Sequence, residues 1–252
     1  MHTRIRTARA LLALLVLAGA AAAAPADAQR RGYGGEQNEF RLRLGLFEPD
    51  GDSTYWEAKE IDFTGSPEDF EDVAFGADYI RSLSPRLGVQ FSLSGTSAEE
   101  EQAYRFFVDE FGNDIFHTTT LDTVALTAGL VFNLTARHNR FVPYVGAGGG
   151  LYSWELTENG EFIDFASPDL EIFPALFQED GDALGWYWLA GINVGLTRAV
   201  SFFAEARWHD AEDELGGEFE GACDALLDFG GFDSCDLDLS GREITGGISW
   251  RF

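Results

Sequence analysis

The chain has 252 residues, of which 43 are Asp or Glu and 17 are Lys or Arg, giving a formal net charge of −26 at pH 7. A surface this acidic repels phosphate groups, so nucleic acid is excluded as a partner. The length fits a leader followed by one large β domain rather than two domains.

The first 28 residues have the three parts of a secretory signal peptide. Three Arg precede an uninterrupted apolar run over residues 10–24, and small residues at 26–28 supply a cleavage pattern. The run is shorter than the roughly 20 residues that a membrane-spanning helix needs. We therefore predict a cleaved signal peptide over residues 1–28 and a single exported domain over residues 29–252.

From residue 40 onward, apolar residues alternate with polar or very small ones, which is typical of β-strands with two different faces. In the first strand Arg41 and Arg43 alternate with leucines. Arginine is costly on a lipid-facing surface, so both are predicted to point inward. Eight strands are predicted, over residues 40–47, 73–80, 87–94, 124–132, 142–152, 186–196, 202–208 and 243–252.

The fifth strand is rich in glycine, with Gly146 and three consecutive glycines at 148–150. Glycine weakens a strand unless the backbone bends sharply or packs closely, as it does in a narrow barrel. A phosphate-binding loop is a poorer interpretation, because no Lys follows and no helix begins here.

Long and short connections follow one another along the chain. The four long ones hold 33 acidic residues and two basic ones, Lys59 and Arg105, whereas the three short turns hold five Arg and no acid. A soluble surface would mix the two signs. In the third long loop, Asn159-Gly160 is predicted to form a hairpin turn. Aromatic girdles are expected at both ends of the strands, with Trp154, Trp186 and Trp208 at one end and Trp250 and Phe252 at the other.

The last strand presents Ile244, Ile248, Trp250 and Phe252 on one apolar face. This stretch resembles the C-terminal assembly signal of bacterial outer-membrane β-barrels. Together with the leader and the strand pattern, it makes the mature chain similar to small, porin-like barrels of the outer-membrane protein A and W type, without a periplasmic domain.

That resemblance implies an all-β fold, an eight-stranded antiparallel up-and-down transmembrane barrel with short periplasmic turns and long extracellular loops. It also implies that the protein lies in the cell outer membrane. The expected partners are the lipid and lipopolysaccharide of that membrane, and the barrel-assembly machinery acting through the C-terminal strand.

Charged side chains are predicted inside the barrel. An eight-stranded barrel has an interior that side chains fill, or that holds one small ligand. Buried charges persist when they are paired, so we expect an internal ion-pair network. A gated conduit lined by the same charges is the alternative. The predicted interior charges are Arg41, Arg43, Asp78, Asp122, Glu205, Arg207, Glu243 and Arg251.

No constellation for catalysis or for a cofactor stands out. His209-Asp210 lies where the seventh strand leaves the membrane, at the height of the sites in barrel enzymes. Adjacent strand residues point to opposite faces, so the two side chains are not expected to pair, and His209 is interpreted as a rim residue. The chain is therefore not expected to be an enzyme.

The two cysteines, Cys223 and Cys235, share one loop of an exported chain, which predicts a disulfide. Acidic clusters in the loops could bind divalent cations, although none has the full spacing of a calcium loop. A solvated acidic face, suited to a salty habitat, is the alternative.

The leading functional class is a structural or surface-interaction protein whose acidic loops bind cations or ligands. A small-solute channel is the first alternative, and an outer-membrane lipid A-modifying enzyme or protease is the second.

Overall fold

A computed structural model describes residues 37–50, 53–66, 72–165, 167–219 and 235–252. Within these ranges, eight strands form one closed antiparallel barrel, in which consecutive strands pair and the last strand pairs with the first. The predicted eight-stranded up-and-down barrel is confirmed. None of the helices in the described part of the chain has the length and apolar character needed to cross a bilayer.

The barrel strands are β1 (Asn38–Pro49), β2 (Asp72–Ser82), β3 (Leu87–Val108), β4 (Asp114–Asn133), β5 (Phe141–Asp164), β6 (Glu171–Gly195), β7 (Val200–Asp210) and β10 (Gly241–Arg251). Two short strands, β8 (Glu212–Glu214) and β9 (Asp236–Asp238), pair with each other outside the barrel sheet. A helix, α1 (Thr54–Asp62), lies between β1 and β2, and a 3-10 turn follows β8 at Gly217–Phe219.

The strands differ in length. β3, β4, β5 and β6 have 22, 20, 24 and 25 residues, whereas β1, β2, β7 and β10 have 12, 11, 11 and 11. A tilted strand of about 9–11 residues crosses a bilayer, and each residue adds about 3.3 Å. The four long strands therefore continue roughly 30 Å beyond the lipid on the long-loop side.

The predicted turn at Asn159-Gly160 is wrong. Both residues lie within β5, where Gly160 pairs with His117 of β4 on one side and with Ala175 of β6 on the other. Pairing on both sides outweighs the local turn preference of the dipeptide. The β5–β6 hairpin instead continues to Asp164 and Glu171 before the chain reverses.

The outer face of the barrel is apolar. Trp188 and Trp208 stack there with ring centroids 3.7 Å apart, and Trp250 stacks on Phe40. Ile244, Ile248, Trp250 and Phe252 of the proposed assembly signal all lie on this face.

Trp154 does not belong to the predicted girdle. It is buried on the inward side of β5, in the same register as Tyr152 and Leu156, and its indole donates to Asp213 over 2.7 Å. Its height along the strand suggested a girdle position, but its place in the alternation directs it inward.

Two glycines make room for large interior side chains. A Cβ at Gly76 would lie 2.4 Å from Nε of Arg43 on the neighbouring strand, and one at Gly148 would lie 2.8 Å from the Tyr187 ring. The interior is therefore filled by side chains that approach the opposing backbone closely, as the glycine content of β5 indicated.

Replacement of Gly76 tests this close packing. Arg43 is fully buried and cannot withdraw into solvent, so Gly76→Ala should lower the free energy of unfolding by about 1–3 kcal/mol. Gly246→Ala is the matched control, because the nearest atom to its Cβ is 3.6 Å away. Urea unfolding in detergent micelles measures both variants, and equal stability of the two would contradict the packing argument.

Candidate functional site

Seven of the eight predicted interior charges lie inside the barrel. They come from β1, β2, β7 and β10, where inward-facing register positions bring opposite charges together across neighbouring strands. The seven are Arg41, Arg43, Asp78, Glu205, Arg207, Glu243 and Arg251.

The centre of the interior network is formed by Arg43 and Arg207. Arg43 Nη1 lies 2.7 Å from Glu243 Oε1, and Arg207 Nη2 lies 2.8 Å from Glu205 Oε1. Ser92 joins the two halves, because its hydroxyl accepts from both guanidinium groups, over 3.2 and 3.1 Å, and donates to Asp78 over 2.5 Å. Each charge therefore has several partners, which is what makes its burial tolerable.

Aromatic rings complete this centre. The Arg41 guanidinium lies 4.6 Å from the centroid of the Tyr144 ring, and the Tyr144 hydroxyl donates to Glu205 over 2.9 Å. Arg207 lies 4.8 Å from the centroid of the Tyr187 ring. The rings fill the space beside the guanidinium groups and contribute cation–π attraction.

Glu39 organises the end of the interior nearest the short turns. Its carboxylate contacts Arg41 at 2.7 Å, Arg137 at 2.5 Å and Arg251 at 3.3 Å. Sequence reasoning missed Glu39 because the predicted first strand starts at Phe40, two residues after β1 begins at Asn38. Its alternation with Arg41 and Arg43 was the available signal.

Asp122 was wrongly placed inside the barrel. It lies on the outer face of β4, in register with Val124 and Leu126, and accepts a hydrogen bond from Ser97 of β3. The alternation along β4 already assigns even-numbered positions to the outside. This part of the outer face lies toward the long-loop end, where a carboxylate is hydrated.

His209 is an interior residue rather than a rim residue. Its Nε2 lies 3.2 Å from Glu243 Oε2 and its Nδ1 lies 3.0 Å from the Tyr152 hydroxyl, while Asp210 faces the outside. A tautomer that donates from Nε2 to Glu243 and accepts at Nδ1 from Tyr152 satisfies all three groups. The expectation that His209 and Asp210 do not pair is confirmed.

A small cavity adjoins His209. It measures about 30 Å³ and is lined by Ser94, Thr96 and Thr123 on the polar side and by Phe47 and Leu239 on the apolar side, with Tyr152, His209 and Glu243 among the remaining residues. A water molecule needs roughly 10–15 Å³ on this scale, so there is room for one or two waters. A lipid or peptide substrate does not fit.

The mouth of the barrel, between the extended strands, is filled by α1. Trp56 is buried and donates to the backbone oxygen of Asp238 over 3.2 Å, and Tyr55 donates to Glu158 over 2.6 Å. Lys59, the only lysine in the chain, is buried beside them in an ion pair with Glu158. The helix thus closes the interior on the side opposite the short turns.

Charge within the mouth is balanced by a few buried groups. Lys59 Nζ also lies 2.9 Å from His117 Nε2, so the neutral imidazole accepts from the ammonium group. Burial and the adjacent Lys59 charge lower the pKa of His117 to about 4. Burial raises the pKa of Glu158, but the Lys59 ammonium outweighs it and keeps that pKa below its usual value.

The metal and disulfide predictions concern the acidic side chains and the two cysteines. Across the residues that the structure describes, no group of three or more His, Cys, Asp or Glu side chains is placed to hold a metal ion. Cys235 is buried beside β9, but Cys223 lies outside the described residues. The disulfide between them stays a prediction.

The family described as "Outer membrane protein beta-barrel domain" matches residues 10–252. No curated protein matches the chain. Among solved structures, the outer membrane protein OprG from Pseudomonas aeruginosa is 14% identical, with 87% of this chain and 98% of that chain covered and a TM-score of 0.50.

Two further solved structures show lower similarity. Neisserial surface protein A is 9% identical, with 85% of this chain and 96% of that chain covered and a TM-score of 0.47. The outer membrane protease OmpT from Escherichia coli is 10% identical, with 89% and 99% covered and a TM-score of 0.41.

Loss of one partner in the interior network should be costly. Glu243→Gln leaves the buried Arg43 without its nearest counter-charge, so we expect the free energy of unfolding to fall by about 3–5 kcal/mol. Glu48→Gln is the control, because it breaks a half-exposed ion pair with Arg242 on the same strand pair and should cost at most about 1 kcal/mol. Urea unfolding of both variants measures these losses of stability. Equal losses would show that the interior ion pair stabilises the protein no more than the half-exposed one.

Proposed function

The chain belongs to the outer-membrane β-barrel family, and on that premise we propose that it is a closed barrel whose extracellular part serves surface interaction. The observation that supports this proposal is the filled interior. Ion pairs around Glu39 occupy the periplasmic end, the Arg43–Arg207 network occupies the centre, and α1 occupies the mouth. The protein is thus a rigid support for the extended strands.

A conduit is the second candidate, and α1 is the feature that favours it. The helix is held in the mouth by one buried ion pair, between Lys59 and Glu158, by hydrogen bonds of Tyr55 and Trp56, and by an aromatic contact with Phe219. Its release would open the extracellular half of the barrel. The interior network would still block the other half, because each of its charges is fixed by partners on other strands.

Catalysis is less well supported by the geometry. Both ring nitrogens of His209 have partners, so neither is directed at a reacting group. The cavity beside it has room for water alone. We therefore propose no enzymatic role, and we interpret the Tyr152–His209–Glu243 chain as part of the interior packing.

The remaining partners belong to the same proposal. Outer-membrane lipid and lipopolysaccharide surround the apolar outer face, and the barrel-assembly machinery recognises the strand that ends at Phe252. Divalent cations bind the acidic loops weakly at several separated carboxylates and bridge them to anionic lipopolysaccharide.

Planar-bilayer recording tests the closed barrel. The purified protein should give no discrete conductance steps, because the Glu39 ion pairs, the Arg43–Arg207 network and α1 fill the interior from one end to the other. A large trimeric porin serves as the positive control. Steps whose ion selectivity changes in Arg43→Met would establish a conduit through the network and overturn the proposal, whereas steps unaffected by this variant would point to a contaminant.

The mouth should loosen on acidification. The pKa of His117 is about 4 when α1 is docked and about 6.5 when it is solvated, so the undocked form binds more protons between these values. Docking is therefore fully stable above about pH 6.5 and weakens as the pH falls toward about 4. Lys59, Glu158 and Tyr104 are the other titratable groups that face His117.

Hydrogen exchange of the α1 amides, corrected for intrinsic rates, measures this loosening. Protection should fall between pH 6.5 and pH 4 in the wild type, and His117→Asn should flatten that change. His138→Asn, in an exposed short turn, is the control and should behave as the wild type does. An unchanged pH profile in His117→Asn would rule out His117 as the titrating group.

A further inference from the structure

The ends of the two long hairpins, β3–β4 and β5–β6, meet above the mouth. Phe107 of the first lies 5.3 Å from Phe165 of the second, ring centroid to ring centroid, in an edge-to-face contact, and Tyr104 lies 6.3 Å from Phe165. We call this joined end the tip. Its apolar residues are Phe106, Val108, Phe111, Phe165 and Leu170.

The tip is exposed although it is apolar. Phe106, Phe111 and Phe165 expose 74%, 80% and 57% of their surface, and Val108 and Leu170 are also exposed. The tip lies beyond the lipid-facing part of the barrel, so the membrane does not cover it. Clustered exposed apolar side chains of this kind mark interaction sites on soluble surfaces.

The turn that carries Phe111 is rigid. The Asp109 carboxylate accepts from the backbone amides of Phe111 and Asn113, over 2.8 and 2.7 Å, and from the Asn113 side chain over 2.8 Å. Gly112 closes the turn with φ +84°. A fixed turn that holds an aromatic ring in solvent gains nothing from intramolecular packing, but it is preorganised to bind.

The second hairpin shows strain at the same place. Leu170 has φ +50°, and it is the only non-glycine residue with positive φ among those described. A bulky side chain rarely adopts this conformation, and such strain is concentrated at functional positions. Here it holds an exposed leucine in the same hairpin end as Phe165.

A collar of carboxylates surrounds these apolar residues. Asp109, Glu110 and Asp114 lie in the first hairpin end, and Asp169 and Glu171 lie in the second. Hydrogen bonds from Asn113 lower the pKa of Asp109, which keeps that carboxylate ionised. The one nearby base, Arg105, is engaged by the backbone oxygen of Phe63.

We propose that the tip docks a cationic amphipathic polypeptide, with its apolar side chains on Phe106, Phe111 and Phe165 and its lysines or arginines against the collar. This inference deepens the proposed surface-interaction function and rests on it. Charge selects this partner, because an anionic bilayer surface would be repelled by the same carboxylates that attract a cationic chain. Rigid aromatic anchors with a polar rim are the usual pattern of a protein-binding hot spot.

Binding of designed peptides to the full-length protein in zwitterionic nanodiscs tests the proposal. The probe is a helical peptide of Lys and Leu with amphipathic spacing, and its controls replace Lys by Glu or Leu by Ser. Calorimetry should show binding of the Lys/Leu peptide, after subtraction of empty nanodiscs, and little binding of either control. Binding should also weaken as salt is raised, because the collar is exposed.

Variants locate the site. Phe111→Ser should weaken binding roughly tenfold, and Glu110→Gln with Glu171→Gln should weaken it and reduce its salt dependence. Leu83→Ser changes another exposed apolar residue, in a short turn at the opposite end, and Glu99→Gln with Glu101→Gln removes two exposed acids from the side of β3. Both controls should bind as the wild type does.

Several results would overturn the inference. They are absence of peptide binding, equal binding of the Glu/Leu peptide, an equal loss in Leu83→Ser or in the β3 control, and preferential binding to phosphatidylglycerol vesicles through Phe111. The last would make the tip a membrane contact. Conductance is measured in a separate experiment. Failure of the peptide to bind would overturn the docking inference but not the closed-barrel proposal, whereas a conducting barrel would overturn the proposed function alone.

Discussion

The need to neutralise arginine inside a narrow apolar barrel is the constraint on which the structure depends. Arg41, Arg43 and Arg207 cannot face lipid, and burial of all three guanidinium groups unpaired, at several kcal/mol each, would offset most of the stability that a small domain has. Some partners lie on the same strand, Glu39 with Arg41 on β1 and Glu205 with Arg207 on β7. Others join strands, because Glu243 of β10 pairs with Arg43 and Glu205 also lies 3.5 Å from Arg41. The register that joins β1 to β10 therefore also closes the network, so barrel closure and charge pairing support each other.

Unequal strand length determines the structure of the part of the barrel that lies beyond the membrane. Four long strands on one side and four short ones on the other leave a half-open wall above the membrane, whose concave face would expose Tyr104, Trp154 and Leu156. The insertion between β1 and β2 covers part of this face as α1, and β8 and β9 cover another part beside Trp154. The acidic loops thus have two parts, a buried aromatic lining and a hydrated exterior.

The alternation of side chains was enough to predict the strands and seven interior charges, because a strand in lipid has only two faces and each excludes one class of residue. The closed barrel followed from the resemblance to outer-membrane barrels. The errors came from departures from the alternation rule. Trp154 was assigned by its height along the strand, Asp122 was given the face opposite to the one that its alternation indicates, and Glu39 lay one residue before the predicted strand. The partners of His209 and the burial of Lys59 depend on contacts across the barrel, which no local sequence pattern predicts. The helix α1 is short and lies in a region with no apolar periodicity of its own, so the sequence does not indicate it either.

Burial of Lys59 has a chemical consequence. The folded chain presents no lysine amine to solvent, since its only lysine is enclosed by Glu158, His117 and aromatic rings in the mouth. Apart from the amino terminus, reagents that acylate primary amines find nothing to react with until α1 leaves its place. Intact cells tagged by such reagents would therefore under-report this protein relative to its abundance, and any acylation of Lys59 would record the fraction of time that the mouth stands open.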